Sequence, residues 1–258
     1  MITGSRSWAA VGSSVAGLPS ATLGEVTAQV ALDARAERKY LVPADRFSQL
    51  IARLPQRYAV LEIDRRRCFA YESVYFDTPD LLMYRQHLQW RRRRYKVRTR
   101  TYLDSADCAF EVKFRWLRDQ TIKARLPYAV TDRGRITPMA RAFLASQLEY
   151  AYGQSPPELV GMATTAYRRT TLVDLDCSTR LTCDVDLTCT SGARIAVGLS
   201  EYVLVESKSL GADSAADRAL RGLGLRPVQI SKYCVAVALL YPDVRSNPWH
   251  RTLRRYFA

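Results

Sequence analysis

Polar and apolar positions alternate with a period of two over three successive stretches in the middle of the chain, the pattern of β-strands with two unlike faces. Arg92, Arg94, Lys96, Arg98 and Arg100 share one parity, while Tyr95, Val97 and Thr99 take the other. Glu111, Lys113 and Arg115 then alternate with Phe110, Val112, Phe114 and Trp116, and Lys123 and Arg125 alternate with Ile122, Ala124 and Leu126. An antiparallel sheet with one wet face produces such alternation. An ordinary wet face, however, mixes both charge signs with neutral polar residues, whereas Arg and Lys are concentrated here. Adjacent cations repel unless an anion lies among them. The pattern therefore points to a curved sheet face that holds a highly anionic ligand.

The flanking segments carry the same signal. Glu37 and Lys39 oppose Tyr40 and Val42; Tyr71 to Phe76 reads as a strand; Tyr167, Arg169 and Thr171 share a parity. Arg180, Thr182 and Asp184 alternate with Leu181, Cys183 and Val185, and Glu206 and Lys208 follow Val203 and Val205, with a turn expected at Ser191-Gly192. Helices are expected after Pro43, after Thr78-Pro79-Asp80, from Thr137-Pro138, from Ser214 to Gly222 or Gly224, and from Ser231-Lys232-Tyr233. Order is expected to begin near Ala34, after a Gly-, Ser- and Ala-rich disordered tail (1–33), with the folded domain spanning 34–241. The basic, aromatic tail 242–258 reads as a packing strap rather than a binding arm. The fold class is α+β and mainly β: a closed antiparallel barrel of about eight strands, its charged lumen forming a tunnel and its helices packed outside.

Composition narrows the ligand. The 258 residues carry a formal charge of +14 and a pI near 9.8, which calls for an acidic partner such as nucleic acid, a polyanion or an anionic membrane surface. Six cysteines without a C-x-x-C pair argue against zinc and for thiols kept as core filler in a reducing cytoplasm. With only His87 and His250, any metal would have to be a hard cation held by carboxylates. No apolar run approaches the ~20 residues of a membrane helix, although a membrane-protein partner remains open.

Taken together and in order, Glu37-x-Lys39, Tyr75-Phe76-Asp77, Arg98-x-Arg100, Glu111-x-Lys113, Lys123-x-Arg125, Tyr167-x-Arg169, Arg180-x-Thr182-x-Asp184, Glu206-x-Lys208 and Ser231-Lys232-Tyr233 resemble the VTC domain. That family is the polyphosphate-polymerase-like branch of the triphosphate tunnel metalloenzymes, within the wider CYTH-like superfamily. The resemblance implies a tunnel that binds a nucleoside triphosphate or polyphosphate with a divalent cation, Mn or Mg. It implies phosphate binding by Lys39, Arg98, Arg100, Lys113, Arg125, Arg169, Arg180, Lys208 and Lys232, with Lys39, Arg98, Arg100, Lys113 and Lys208 at the chemistry. Glu206 would lead the metal ligands, and Glu37 and Glu111 would assist it. Arg35 stands where the wider superfamily often has the first Glu of Glu-x-Glu-x-Lys, a departure that favours the VTC-like branch.

Phosphoryl transfer asks a protein mainly for positioning and charge neutralisation, which the excess of cations over Glu37, Glu111, Asp184 and Glu206 would supply. The implied activity is metal-dependent transfer of a terminal phosphate of ATP to a growing polyphosphate chain, with hydrolysis of triphosphate or tripolyphosphate as its nearest variant. A non-catalytic module for RNA or polyanions is the competing class. It predicts aromatics interleaved with the cations, whereas Phe110, Phe114 and Trp116 take the apolar parity. No specific nucleic acid is therefore expected. Asp184 reads as a structural ion-pair partner.

Overall fold

The computed structural model describes residues 4–28, 36–115, 121–176, 179–210 and 213–257; Ala34, Arg35, Trp116 and Cys177, which entered the sequence reading, lie outside them. The strands are β1 (Ser20–Ala21), β2 (Ala36–Pro43), β3 (Tyr58–Leu61), β4 (Phe69–Asp77), β5 (Tyr95–Tyr102), β6 (Asp107–Arg115), β7 (Thr121–Tyr128), β8 (Val160–Asp174), β9 (Thr179–Ser191), β10 (Arg194–Gly198) and β11 (Tyr202–Ser209). Eight of them form one antiparallel path in the order β2-β11-β9-β8-β4-β5-β6-β7, with β10 continuing along β9 and the β1–β3 pair attached to β8. Gly192, at φ +56°, makes the turn expected between β9 and β10.

The expected closed barrel requires correction. Among the described residues β2 and β7 are the two ends of the path and do not pair with each other. The segment at Pro227–Ile230 lies along β2 instead, with Val228 N donating to Lys39 O at 2.7 Å. The sheet nevertheless curls almost full circle. Six strand spacings separate β2 from β6, roughly 29 Å on a flat sheet, yet Lys113 Nζ on β6 is 3.6 Å from Glu37 Oε2 on β2. Side chains, rather than a backbone ladder, bridge the gap.

Helices cover the outer face where the apolar parity points. One core lies under α1 (Arg6–Val15), α3 (Ala44–Ala52) and α6 (Ala215–Gly222), against Tyr40, Val42, Leu181, Cys183, Val203 and Val205. A second lies under α5 (Pro138–Tyr152), where Leu144 and Leu148 meet Val97, Phe110, Val112 and Phe114. The caps predicted at Thr137 and Ser214 form: Thr137 accepts from Ala140 N, and Ser214 and Asp217 make a reciprocal capping box, whereas the helix expected from Thr78-Pro79-Asp80 begins only at Leu82, with Leu81 as its N-cap. For the described residues 4–28 the structure corrects the reading of a disordered tail, because they hold a helix packed on the sheet. Val11 and Val15 are buried one turn apart against the sheet, and Ser7 N donates to Ser200 O at 2.8 Å. Gly12 and Ser13, which interrupt the local hydropathy, occupy the exposed side of the same helix. A short helix α2 (Leu23–Ala28) follows.

The remaining helices, α4 (Leu82–Leu88), α7 (Lys232–Leu240) and α8 (His250–Tyr256), gather at one end of the curled sheet. A bulge in β9 prepares the seat of α7. Asp186 takes φ +54° and the register slips between Ala166 and Arg168, which reverses the facing of the strand. Cys183 and Val185 therefore pack with the outer core, while Leu187 and Cys189 turn to Val235 and Ala236. The C-terminal segment forms a strap, with Trp249 buried beside Tyr84 and Tyr256 edge-on to Tyr202. No helix among the described residues is long and apolar enough to cross a membrane.

Asp77 ties these parts together. Its fully buried carboxylate accepts from Thr78 N (2.7 Å), Met83 N (2.8 Å) and Tyr84 N (2.9 Å) at the start of α4, and from the Tyr233 hydroxyl on α7. Asp77→Ala leaves those donors buried and unmet, so urea denaturation is expected to show a loss of about 3 kcal/mol. A loss below about 1 kcal/mol would show that the end-cap folds independently of this carboxylate.

Candidate functional site

Strand register places the charged parities of eight strands on the inner face of the curl. Glu206 lies opposite Lys39 and Thr182, and Lys208 opposite Glu37 and Arg180. Asp184 lies opposite Arg169, Tyr71 opposite Tyr167, Tyr75 opposite Arg98, and Ser73 opposite Arg100. Arg98 then faces Glu111, which faces Arg125; Lys96 faces Lys113, which faces Lys123. All nine predicted phosphate-binding residues are brought to this lumen: eight come from its strands, and Lys232 reaches in from the first turn of α7 to Asp184. The basic run before them is different. Arg92 and Arg94 precede β5 rather than belonging to it.

Three anionic centres organise these cations. Glu111, 1% exposed, takes Arg98 (2.7 Å), Lys123 (2.6 Å) and Arg125 (2.8 Å), with Arg100 at 3.9 Å. Burial opposes its ionisation, but Arg98, Arg100 and Lys123 hold its carboxyl far below the usual range. Asp184 binds Arg169 in bidentate fashion (2.6 and 2.8 Å) and also Lys232, the structural role expected of it. The third centre is a pair. Glu206 binds Lys208 at 2.7 Å, and Glu37 contacts Lys39, Lys113 and Lys208. Burial and the nearby Glu206 push the Glu37 carboxyl up, but Lys113, Lys39 and Lys208 outweigh them and bring it to about 2.

Positive charge remains in excess along Lys96, Lys113 and Lys123, three lysines directly opposite one another on adjacent strands. Like charges so placed destabilise a sheet. Desolvation, followed by Lys113, Lys39 and Arg98, pulls Lys96 down to about 8, and it makes no ion pair among the described residues. Desolvation also lowers Lys113, and it lowers Lys123 to about 7 despite Glu111 beside it. Lys113 still exposes 43% of its side chain, so water reaches the lumen. Burial, with Lys96 next to it, depresses His87 to about 2 and keeps this histidine neutral.

The three predicted metal ligands separate into two environments. Glu37 and Glu206 are close enough to repel each other, and a hard divalent ion would relieve that repulsion. Glu111 is already surrounded by four cations. Among the described residues no group of three or more His, Cys, Asp or Glu converges, so a cation here would need phosphate oxygens or water to complete its shell. Lys96 and Lys123 were not among the predicted site residues, although their parity marked them. Tyr71 and Tyr102, which share the lumen with the arginines, were also missed; the alternation of Phe69, Tyr71, Ser73 and Tyr75 held that signal. Phe110 and Phe114 do point away from the cations, into the core beneath α5.

Comparison with known proteins places these features in context. The VTC domain family model matches residues 34–241. A search of curated proteins returned no match. Among solved structures, a candidate adenylyl cyclase from Hippeastrum, described as having a dominant triphosphatase activity, aligns at 15% identity over 81% of this chain and 99% of its own, with a TM-score of 0.48. A candidate adenylate cyclase from Vibrio parahaemolyticus aligns at 13% identity over 79% of this chain and 98% of its own, with a TM-score of 0.45.

Proposed function

The chain belongs to the VTC domain family, and from that premise we propose that its lumen binds the phosphates of a nucleoside triphosphate or polyphosphate and catalyses metal-dependent phosphoryl transfer, most specifically polyphosphate synthesis from ATP. The observation that carries this reading is the lysine row Lys96, Lys113 and Lys123, whose mutual repulsion is offset only in part by Glu111 beside Lys123 and Glu37 beside Lys113, and which a bound anion between the strands would relieve further. Arg98 and Arg100 offer planar donors for phosphate oxygens, and Lys39, Lys113 and Lys208 offer mobile point charges. Arg125, Arg169, Arg180 and Lys232 extend the same surface along the phosphate chain.

Glu37 and Glu206 are the residues that would hold Mn or Mg. Bound there, the ion would neutralise charge developing on the transferred phosphoryl group. Glu111 serves this reading as a counter-ion that fixes Arg98, Arg100, Lys123 and Arg125 in place, rather than as a metal ligand. No side chain need act as a nucleophile, because attacking and leaving oxygens both belong to the substrates. Hydrolysis of triphosphate or tripolyphosphate uses the same groups with water as the attacker.

Incubation with ATP and Mn, followed by gel analysis for polyphosphate and an assay for free phosphate, tests the proposal. Polyphosphate supports synthesis, and phosphate alone supports hydrolysis. Neither product, with tight binding of labelled polyphosphate, would make the chain a polyphosphate-binding module. Lys39→Ala and Glu206→Ala are each expected to lower turnover by at least about a hundredfold with an unchanged circular dichroism spectrum. Full activity in both would remove the lumen from the mechanism.

A further inference from the structure

A layer of rings lies in the lumen between Arg100 and Arg169, whose guanidinium groups both lie over the Tyr71 ring. Register sets Phe69 opposite Arg169 and places Tyr71 between Tyr102 and Tyr167. Tyr71 stacks on Tyr167 with centroids 5.5 Å apart and planes 8° from parallel, and tilts against Tyr102 at 5.1 Å. Tyr71 and Tyr167 are buried, whereas Tyr102 is only partly buried. The Tyr102 hydroxyl accepts from Arg125 at 2.9 Å, and the Arg125 guanidinium lies 6.0 Å from its ring centre. Arg125 itself keeps 46% of its side chain open, which marks this as a rim of the lumen.

The face of an aromatic ring is electronegative and offers a phosphate no direct contact; these rings act on phosphates only through cations such as Arg100, Arg169 and Lys232 that lie over them. A flat heteroaromatic base gains a stacking partner. Tyr102 lies four residues along β5 from Arg98, roughly 13 Å, a span that the sugar and phosphates of an extended nucleoside triphosphate can bridge. We propose that Tyr102, backed by Tyr71 and flanked by Arg125, is the stacking platform for the base of a nucleoside triphosphate whose phosphates run inward to Arg100 and Arg98. The platform rests on the phosphate-binding lumen proposed above and adds to it a preference for nucleotides over inorganic triphosphate. A plainer role for the ring is to steady Arg125 by a cation–π contact. That role affects both ligands alike, since it acts through a phosphate-binding arginine.

Calorimetric titration with the β,γ-imido analogue of ATP and with tripolyphosphate, in magnesium, separates the two roles. Tyr102→Leu is expected to weaken the ATP analogue about tenfold and to leave tripolyphosphate unchanged, while Tyr102→Trp retains both. Equal loss of both ligands, or of neither, would overturn the platform. A second comparison needs no variant: ribose 5-triphosphate, which lacks a base, is expected to bind the wild-type protein about tenfold more weakly than ATP, and equal binding overturns the proposal. If the wild-type protein binds tripolyphosphate and not the ATP analogue, the phosphate lumen stands and the platform falls. If it binds neither, the lumen reading fails and the platform goes with it.

Discussion

Glu111→Gln is expected to cost about 3 kcal/mol of folding stability, and added tripolyphosphate is expected to restore much of it. The carboxylate is buried and lies among Arg98, Arg100, Lys123 and Arg125, so neutralising it leaves four cations repelling one another across three strands. Removing one partner of a buried ion pair costs about 3–5 kcal/mol. The lower end applies because Lys123 and Arg125 retain 39% and 46% exposure and water can screen them. For a domain of this size the loss corresponds to a fall of roughly 8 °C in Tm. A phosphate chain in the lumen would supply the missing negative charge, and ligands that bind only the folded state stabilise it by mass action. Thermal melts of the wild-type and E111Q proteins, with and without tripolyphosphate, measure both effects. A larger ligand-induced shift in the variant than in the wild type is the expected result. An equal shift in the two proteins would show that bound phosphates do not approach the Glu111 cluster.

Affinity for tripolyphosphate is expected to fall at least tenfold or so between pH 7 and pH 9, with net uptake of protons on binding. Ionisation of the ligand's terminal phosphates only adds negative charge as pH rises, so a fall in affinity must come from the protein. Lys123, near 7, and Lys96, near 8, lose protons in the free lumen across this range, and Lys113 is shifted in the same direction. A bound polyanion raises all three and so draws protons in. Binding is therefore strongest below pH 7 and weakens as pH rises through 7 to 8. The unliganded fold has the opposite dependence: a lysine depressed in the folded state binds its proton more readily when unfolded, so its contribution to stability grows from about pH 7 and is complete only above the ordinary lysine value near 10.4. Calorimetry in buffers of different ionisation enthalpy measures the uptake. Lys123→Arg and Lys96→Arg, which stay charged throughout, are expected to flatten the pH profile. An unchanged slope in both variants would place the phosphate chain away from the lysine row.

The strands were legible because their two faces meet such different surroundings. In β5 and β6 the apolar residues Val97, Phe110, Val112 and Phe114 enter a dry core, while Arg98, Glu111 and Lys113 meet charge and water, and a period of two records that contrast directly. Helices α5, α6 and α7 were legible through their caps. Helix α1 was not, since Gly and Ser residues interrupt its apolar rhythm and the residues that commit it to the core, Ser7, Trp8, Val11 and Val15, do so against partners far along the chain. The site was legible as a list of cations but not as a set of pairings. That Glu111 gathers four cations, whereas Glu37 and Glu206 share three lysines between them, depends on side chains meeting across strands whose order differs from their order in sequence.

By itself the amino-acid sequence determined which residues of each strand share a parity, which residue types that parity carries and that its cations call for an anionic partner, because alternation and net charge are properties of the chain itself. Only the tertiary structure decided that the sheet curls without closing, that β2 hydrogen-bonds the Pro227–Ile230 segment while Lys113 reaches Glu37 across the gap, and that Asp186 reverses β9 to seat α7. Those outcomes depend on curvature and on contacts between residues distant in the chain, where a few ångströms decide between a backbone ladder and an ion pair.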